Sequence, residues 1–119
     1  MKKILIVEDV EMNRDLLIQL LEDDYELVEA TDGKQGLEVA QRERPDLILL
    51  DISLPEMDGW EVTRRVRADD QIKDTPIIAV TAHAMAGDEE KAYEQGCNAY
   101  LSKPIDEDEL WAKVAQHIR

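Results

Sequence analysis

Leu47-Ile48-Leu49-Leu50 is a run of four apolar residues with no polar alternation, and it stops at Asp51. A strand that is apolar on both faces belongs in the middle of a parallel sheet, covered by helices on either side. A carboxylate directly after such a strand is costly to desolvate unless it stands at the sheet's carboxyl edge among cations and hydrogen-bond donors. That edge is where open α/β sheets carry their sites. Leu54-Pro55-Glu56-Met57-Asp58-Gly59 then carries Pro and Gly punctuation, so the chain turns over the edge before re-entering a helix.

The same pattern recurs along the chain. Ile4-Leu5-Ile6-Val7 ends in Glu8-Asp9, Ile77-Ile78-Ala79-Val80 ends in Thr81, and Ala99-Tyr100-Leu101 leads to Ser102-Lys103-Pro104. Tyr25 to Ala30 alternates weakly and reads as a short second strand. Helical stretches lie between. Leu16, Leu17, Leu20 and Leu21 form one stripe at helical spacing, with Ile18 off it. Asp32 with Gln35 caps a helix through about Arg42. Trp60, Val62 and Val66 mark a third helix, fading into the polar run Asp69 to Asp74. A weakly apolar fourth spans Asp88 to Gln95 and closes at Gly96. Asp106 with Glu109 caps a fifth that carries Leu110, Trp111, Val114, Ala115 and Ile118. Five strands alternating with five helices predict a doubly wound parallel sheet. Right-handed crossovers place every strand's carboxyl end on one edge, so Glu8, Asp9, Asp51, Thr81 and Lys103 are expected to converge there.

Composition narrows the options. The 119 residues suit a single domain spanning 1–119, with no output domain. With no Phe and 4% aromatics, the core has to be aliphatic. A net charge of −14 repels a phosphate backbone and argues against direct nucleic-acid binding. The one cysteine, Cys97, rules out an internal disulfide or a thiolate metal cluster and reads as a packing residue. Ile4 to Val7, cut off by Glu8-Asp9, is too short for a signal peptide, and no run reaches membrane-spanning length. A cytoplasmic location is expected.

Three carboxylates about 5 Å apart repel by roughly 3 kcal/mol per pair at an effective dielectric near 20. Lys103 alone cannot balance them; a hard divalent cation can, and an all-oxygen site suits Mg²⁺, or Mn²⁺, better than Zn²⁺. Such an ion would also admit a phosphoryl group, making Asp51 a candidate carboxylate nucleophile, with Lys103 and the Thr81 hydroxyl neutralising the remaining phosphoryl oxygens.

Ile-Leu-Ile-Val-Glu8-Asp9, Leu-Leu-Asp51-Ile-Ser-Leu-Pro-Glu-Met-Asp-Gly59, Val-Thr81-Ala82 and Leu-Ser-Lys103-Pro104 together resemble the receiver domains of two-component response regulators, of the single-domain chemotaxis-regulator kind. The resemblance covers essentially the whole chain. It implies a flavodoxin-like (βα)5 sheet in the order 2-1-3-4-5, flanked by helices as a three-layer αβα sandwich. It implies that Asp51 accepts a phosphoryl group from a phosphohistidine on a sensor kinase or histidine phosphotransfer protein. Mg²⁺ would be held by Glu8, Asp9, Asp51 and the backbone carbonyl of Ser53, with Glu8 acting through water. Lys103 would bind the phosphoryl group, next to a cis Lys103–Pro104 bond. Thr81 and Tyr100 would form the switch, the ring turning inward, and the surface of the fourth helix, fifth strand and fifth helix would change to engage a downstream protein. The only chemistry implied is gain and loss of the protein's own phosphoryl group. Many receivers carry Asp where Glu8 stands, and Ser53 and His83 occupy positions that tune phosphoryl loss.

Two other classes share the fold. An Asp-nucleophile phosphatase needs a second Asp two residues after the nucleophile as general acid, and Ser53 stands there. A flavodoxin-like carrier needs a Ser/Thr/Gly-rich phosphate loop after the first strand, where Glu8-Asp9-Val10-Glu11 would repel the cofactor. For the partner that delivers phosphate, Asn13, Ile18 and Ile105 are expected on the docking face. Trp60 and Trp111 read as partly buried anchors.

Overall fold

The structure, a computed structural model, describes residues 1–54, 57–82 and 88–118. In chain order the elements are β1 (Lys3–Val7), α1 (Glu11–Leu21), β2 (Glu26–Ala30), α2 (Gly33–Glu43), β3 (Leu47–Asp51), α3 (Gly59–Ala68), β4 (Ile77–Thr81), α4 (Asp88–Gln95), β5 (Ala99–Ser102) and α5 (Glu107–His117). The five strands form one parallel sheet in the order β2-β1-β3-β4-β5. Every residue of β3 and β4 is buried, as runs without polar alternation require.

Alternate side chains of each strand feed two separate cores. Leu5, Val7, Ile48, Leu50, Ile77 and Ala79 pack with Val39 and Ala40 of α2, Val62 and Val66 of α3, and Ala92 of α4. Ile4, Ile6, Leu47, Leu49, Ile78 and Val80 pack with Leu17 and Leu21 of α1 and Leu110 and Val114 of α5. Both clusters are built mainly from aliphatic side chains, as a chain without Phe demands.

Two helix starts, at Asp32 and Asp106, are read correctly from their caps, and a third cap, Asp58, opens the helix that the sequence marks only from Trp60, Val62 and Val66. The Asp32, Asp58 and Asp106 carboxylates accept from the backbone N–H groups of Gln35, Glu61 and Glu109 at 2.7, 2.9 and 3.1 Å. Each such cap stabilises by about 1 kcal/mol. Gln35 returns the contact at 2.6 Å, but to the Thr31 N–H one residue before the cap. Gly96 closes α4 at φ 109°, a backbone region that side chains with a Cβ avoid.

Helix α1 corrects the sequence reading. Leu16, expected on the buried stripe, is 42% exposed, while Ile18, expected off it, is half-buried against the α1/α5 core. The inward face is Arg14-Leu17-Ile18-Leu21, an i, i+3, i+4, i+7 stripe with Leu20 on its flank. The stripe of four leucines and the observed stripe overlap on Leu17 and Leu21, and the packing of α1 on the sheet turns the helix so that Leu16 is left outside. The polar run Asp69 to Asp74 also hides an apolar anchor, Ile72, which is buried.

Arg44 ends α2 in the left-handed region, at φ 46° and ψ 64°. A Cβ there costs about 1 kcal/mol relative to glycine, and the exposed Arg44–Gln71 side-chain contact recovers little of it. Arg44→Gly is expected to stabilise the fold by about 0.5–1 kcal/mol, measured as a higher urea midpoint with an unchanged m-value.

Candidate functional site

Strand register assembles the site. Val7 pairs with Leu50, Asp51 with Val80, and Thr81 with Ser102. The residues that follow β1 and β5 therefore come level with Asp51. The ladder runs on past the strands: the Ile52 N–H donates to the Val80 carbonyl at 3.0 Å and the Lys103 N–H to the Thr81 carbonyl at 2.7 Å.

The Lys103 ammonium sits between two buried carboxylates, 2.7 Å from Glu8 Oε1 and 3.3 Å from Asp51 Oδ2. The other oxygens are held by the backbone, Glu8 Oε2 by the Val10 N–H at 3.2 Å and Asp51 Oδ1 by the Ser53 N–H at 2.9 Å. Carboxylate oxygens of Glu8, Asp9 and Asp51 lie within 4.8 Å of one another. Glu8 and Asp51 are 1% and 5% exposed, whereas Asp9 is open to solvent. Burial pushes the Glu8 carboxyl up from 4.5 to about 7; the neighbouring Asp51 adds to this, and the bonds from Lys103 and the Val10 N–H only partly offset it. Burial works against the Lys103 ammonium as well, yet its bonds to Glu8 and Asp51 outweigh that and raise its pKa.

Three hard-oxygen ligands with one solvent-facing member fit a small divalent cation that keeps several waters, as Mg²⁺ does.

Close backbone approaches set the loop after Asp51. A Cβ on Gly59 would lie 2.7 Å from Ile52 Cα and 2.9 Å from the Asp51 carbonyl, so α3 starts directly against the end of β3. A Cβ on Gly33 would lie 1.9 Å from the Met57 carbonyl, so the loop also rests on the first turn of α2. The Gly33 contact went unread in the sequence, where Asp32-Gly33 signals only a helix start.

The remaining expected residues are placed as follows. Thr81 is buried at the end of β4, and Tyr100 is buried within the core shared by α2, α3 and α4. Asn13 and Ile105 line a groove of about 140 Å³ beside Glu8 and Lys103, together with Leu16 and Pro104; Ile18 does not. The Lys103–Pro104 bond is cis. His83 lies outside the described residues. Trp111 is 41% exposed, with its ring N–H donating to the Leu20 carbonyl at 2.8 Å. No helix among the described residues is long and apolar enough to cross a membrane.

Residues 4–115 match the family model of the response regulator receiver domain. The chain belongs to that family. Among curated relatives of this receiver domain, the polar-differentiation response regulator DivK of Brucella anthropi is 50% identical over 105 residues, which is 87% of this chain and 85% of that one. Among solved structures, the receiver domain of the sensor histidine kinase PA1611 of Pseudomonas aeruginosa has a magnesium ion coordinated in its active site cleft. It aligns with TM-score 0.90 at 38% identity, covering 98% of this chain and 96% of that one. The chemotaxis protein CheY4 of Vibrio cholerae aligns with TM-score 0.92 at 31% identity over 99% of both chains. The receiver domain therefore serves phosphorylation-dependent two-component signalling, and its acidic cluster is of the kind at which receivers bind Mg²⁺.

Between pH 4.5 and about 7 the folded receiver holds a proton on Glu8 that the unfolded chain has released, so the metal-free fold loses stability as pH rises through that window. Glu8→Gln removes this penalty. In metal-free buffer it is expected to stabilise at about pH 8, with a ceiling of about 3 kcal/mol less the lost bond to Lys103, and by under about 1 kcal/mol near pH 5. Urea titrations at both pH values check the difference.

Proposed function

We propose that Asp51 is the phosphoacceptor of this receiver, taking a phosphoryl group from the phosphohistidine of a sensor kinase or histidine phosphotransfer protein. The observation that carries this reading is the Asp51 carboxylate itself: buried, oriented by the Ser53 N–H, and in contact with the Lys103 ammonium, with the Glu8 and Asp9 oxygens alongside. An Asp51 oxygen attacks phosphorus as the bond from phosphorus to the imidazole nitrogen breaks. Glu8, Asp9, Asp51 and the Ser53 carbonyl would hold Mg²⁺, which when bound neutralises charge on the transferring phosphoryl oxygens.

Lys103 has to change partners in this step. It leaves Glu8 for the phosphoryl group, trading one anion for another without becoming an unpaired buried cation. Thr81 then supplies a hydroxyl to a phosphoryl oxygen, and Tyr100, already buried, holds the inward position of the switch. The consequence is a changed α4–β5–α5 surface that binds a downstream protein or passes the phosphoryl group on. The added charge of about −1.5 to −2 drives the change.

The partner carrying phosphohistidine is read onto the groove between α1 and the β5–α5 turn. Leu16, with Asn13 and Ile105, replaces Ile18 in this role, because Leu16 is exposed on the groove while Ile18 packs inward. An acid at Leu16 would spoil the apolar contact without touching the acceptor. A phosphatase reading is disfavoured by an exposed Ser53 where a general acid would stand. The buried free Cys97 fits a cytoplasmic setting.

Intact mass after incubation with acetyl phosphate and Mg²⁺ tests the acceptor: one phosphoryl group is expected on the parent and none on Asp51→Asn. Equal labelling of both proteins, or no labelling together with no beryllofluoride binding by the parent, refutes it. Leu16→Asp is expected to label normally with acetyl phosphate yet to accept phosphoryl from its phosphotransfer partner at least about tenfold more slowly, a loss of about 1.4 kcal/mol in docking. An unchanged transfer rate removes Leu16 from the docking face.

A further inference from the structure

Where β1 leaves the sheet, one backbone group needs a partner that the sheet no longer provides. The Glu8 N–H donates to the Ala30 carbonyl at 3.0 Å, so in this parallel ladder the Glu8 carbonyl points toward β2 as well. Its ladder partner would be the N–H two residues beyond Ala30. That residue is Asp32, the N-cap of α2, and β2 has already ended. A carbonyl on a residue that is 1% exposed cannot be left without a donor except at a cost of about 1–3 kcal/mol.

Arg14 supplies the donor. Its Nη1 donates to the Glu8 carbonyl at 3.0 Å and its Nε to Glu29 Oε1, on β2, at 3.1 Å. The side chain is 15% exposed and lies on the inward stripe of α1, a position otherwise given to Leu17, Ile18 and Leu21. The guanidinium thus bridges three elements at one point: it leaves α1, is aimed by β2, and grips the main chain where β1 ends. A planar fork with several donors can hold two acceptors at fixed angles, which an ammonium on a flexible stem does less well.

We infer that Arg14 is a positioning residue for the metal site: it clamps the main chain at Glu8, so that the Glu8 and Asp9 carboxylates leave β1 in the direction of Asp51. The inference rests on the reading that Glu8, Asp9 and Asp51 hold Mg²⁺. It makes no contact with the ion or with the phosphoryl group, and it acts only through the backbone that carries two of the ligands.

Charge and position predict opposite signs, which makes the clamp testable. Removing a cation near an acidic cluster, with nothing else changed, tightens binding of a divalent ion. Loss of the clamp loosens it, and disturbed outer-shell partners of metal ligands typically weaken affinity 10–100-fold. The measurement is the affinity for Mg²⁺ by calorimetry and for Mn²⁺ by electron paramagnetic resonance, with thermal midpoints recorded alongside, on the parent, Arg14→Ala, Arg14→Lys and Glu29→Gln.

Arg14→Ala is expected to bind both ions about tenfold more weakly, Arg14→Lys to recover part of the loss, and Glu29→Gln to fall between parent and Arg14→Ala. Unchanged or tighter binding by Arg14→Ala overturns the clamp, even with a lowered thermal midpoint, because a residue needed only for stability moves the midpoint and leaves the affinity alone. If Arg14→Ala does not fold, Arg14→Lys decides, since it keeps the charge and loses the planar fork: weaker binding supports the clamp and parental affinity overturns it. A parent that binds neither ion overturns the metal reading, and the clamp with it.

Discussion

A single ammonium group shared by two buried carboxylates organises this molecule. Lys103 reaches Glu8 and Asp51 from the opposite side of β4, across residues more than fifty positions apart in the chain. Burial, with the neighbouring Asp51 adding to it, outweighs what the one ammonium offers Glu8, and its carboxyl is pushed up to about 7. The deficit is the useful property. A nest fully balanced by protein cations would attract a divalent ion less strongly.

The sheet converts this local chemistry into a fixed geometry. Side chains at the ends of neighbouring parallel strands are held in register by backbone hydrogen bonds on both sides, so Glu8, Asp51 and Lys103 cannot drift relative to one another without breaking the ladder. Around that frame the loops are packed by contacts with no slack: Gly59 against Ile52 and Asp51, Gly33 against Met57. α3, starting against the end of β3, is in turn tied to the C-terminal end of α4 by Arg64 to Gln95 and by Arg67 to the Gly96 carbonyl, at 2.8 and 2.9 Å. A displacement at the start of α3 therefore has a packed route to the C-terminal end of α4.

Much of this was readable in advance because it depends on local rules. Uninterrupted apolar runs announce β1, β3 and β4, and acids, Thr or Lys at their ends announce the edge. Asp32 and Asp106 reveal helix starts because an N-cap works within three residues of itself. The reading failed where the answer lies in another part of the chain. Leu16 and Ile18 are both good core residues, and only the angle at which α1 lies on the sheet sends one out and the other in. Ile72 looks like part of a polar loop until the loop is folded over the core. Arg14 looks like a surface arginine until β2 is seen to end two residues too early to serve Glu8.

Residue type and order alone were enough to specify the alternation of buried strands with amphipathic helices, and hence an acidic edge with one lysine, since burial preference and capping act over a few neighbouring positions. Which oxygens Lys103 bonds, how far burial lifts Glu8, which face of α1 is left bare and what holds the Glu8 carbonyl were settled only by the assembled sheet. Each of these depends on distances between segments far apart in sequence, and both electrostatic energy and close packing vary with those distances too steeply for a linear pattern to encode them.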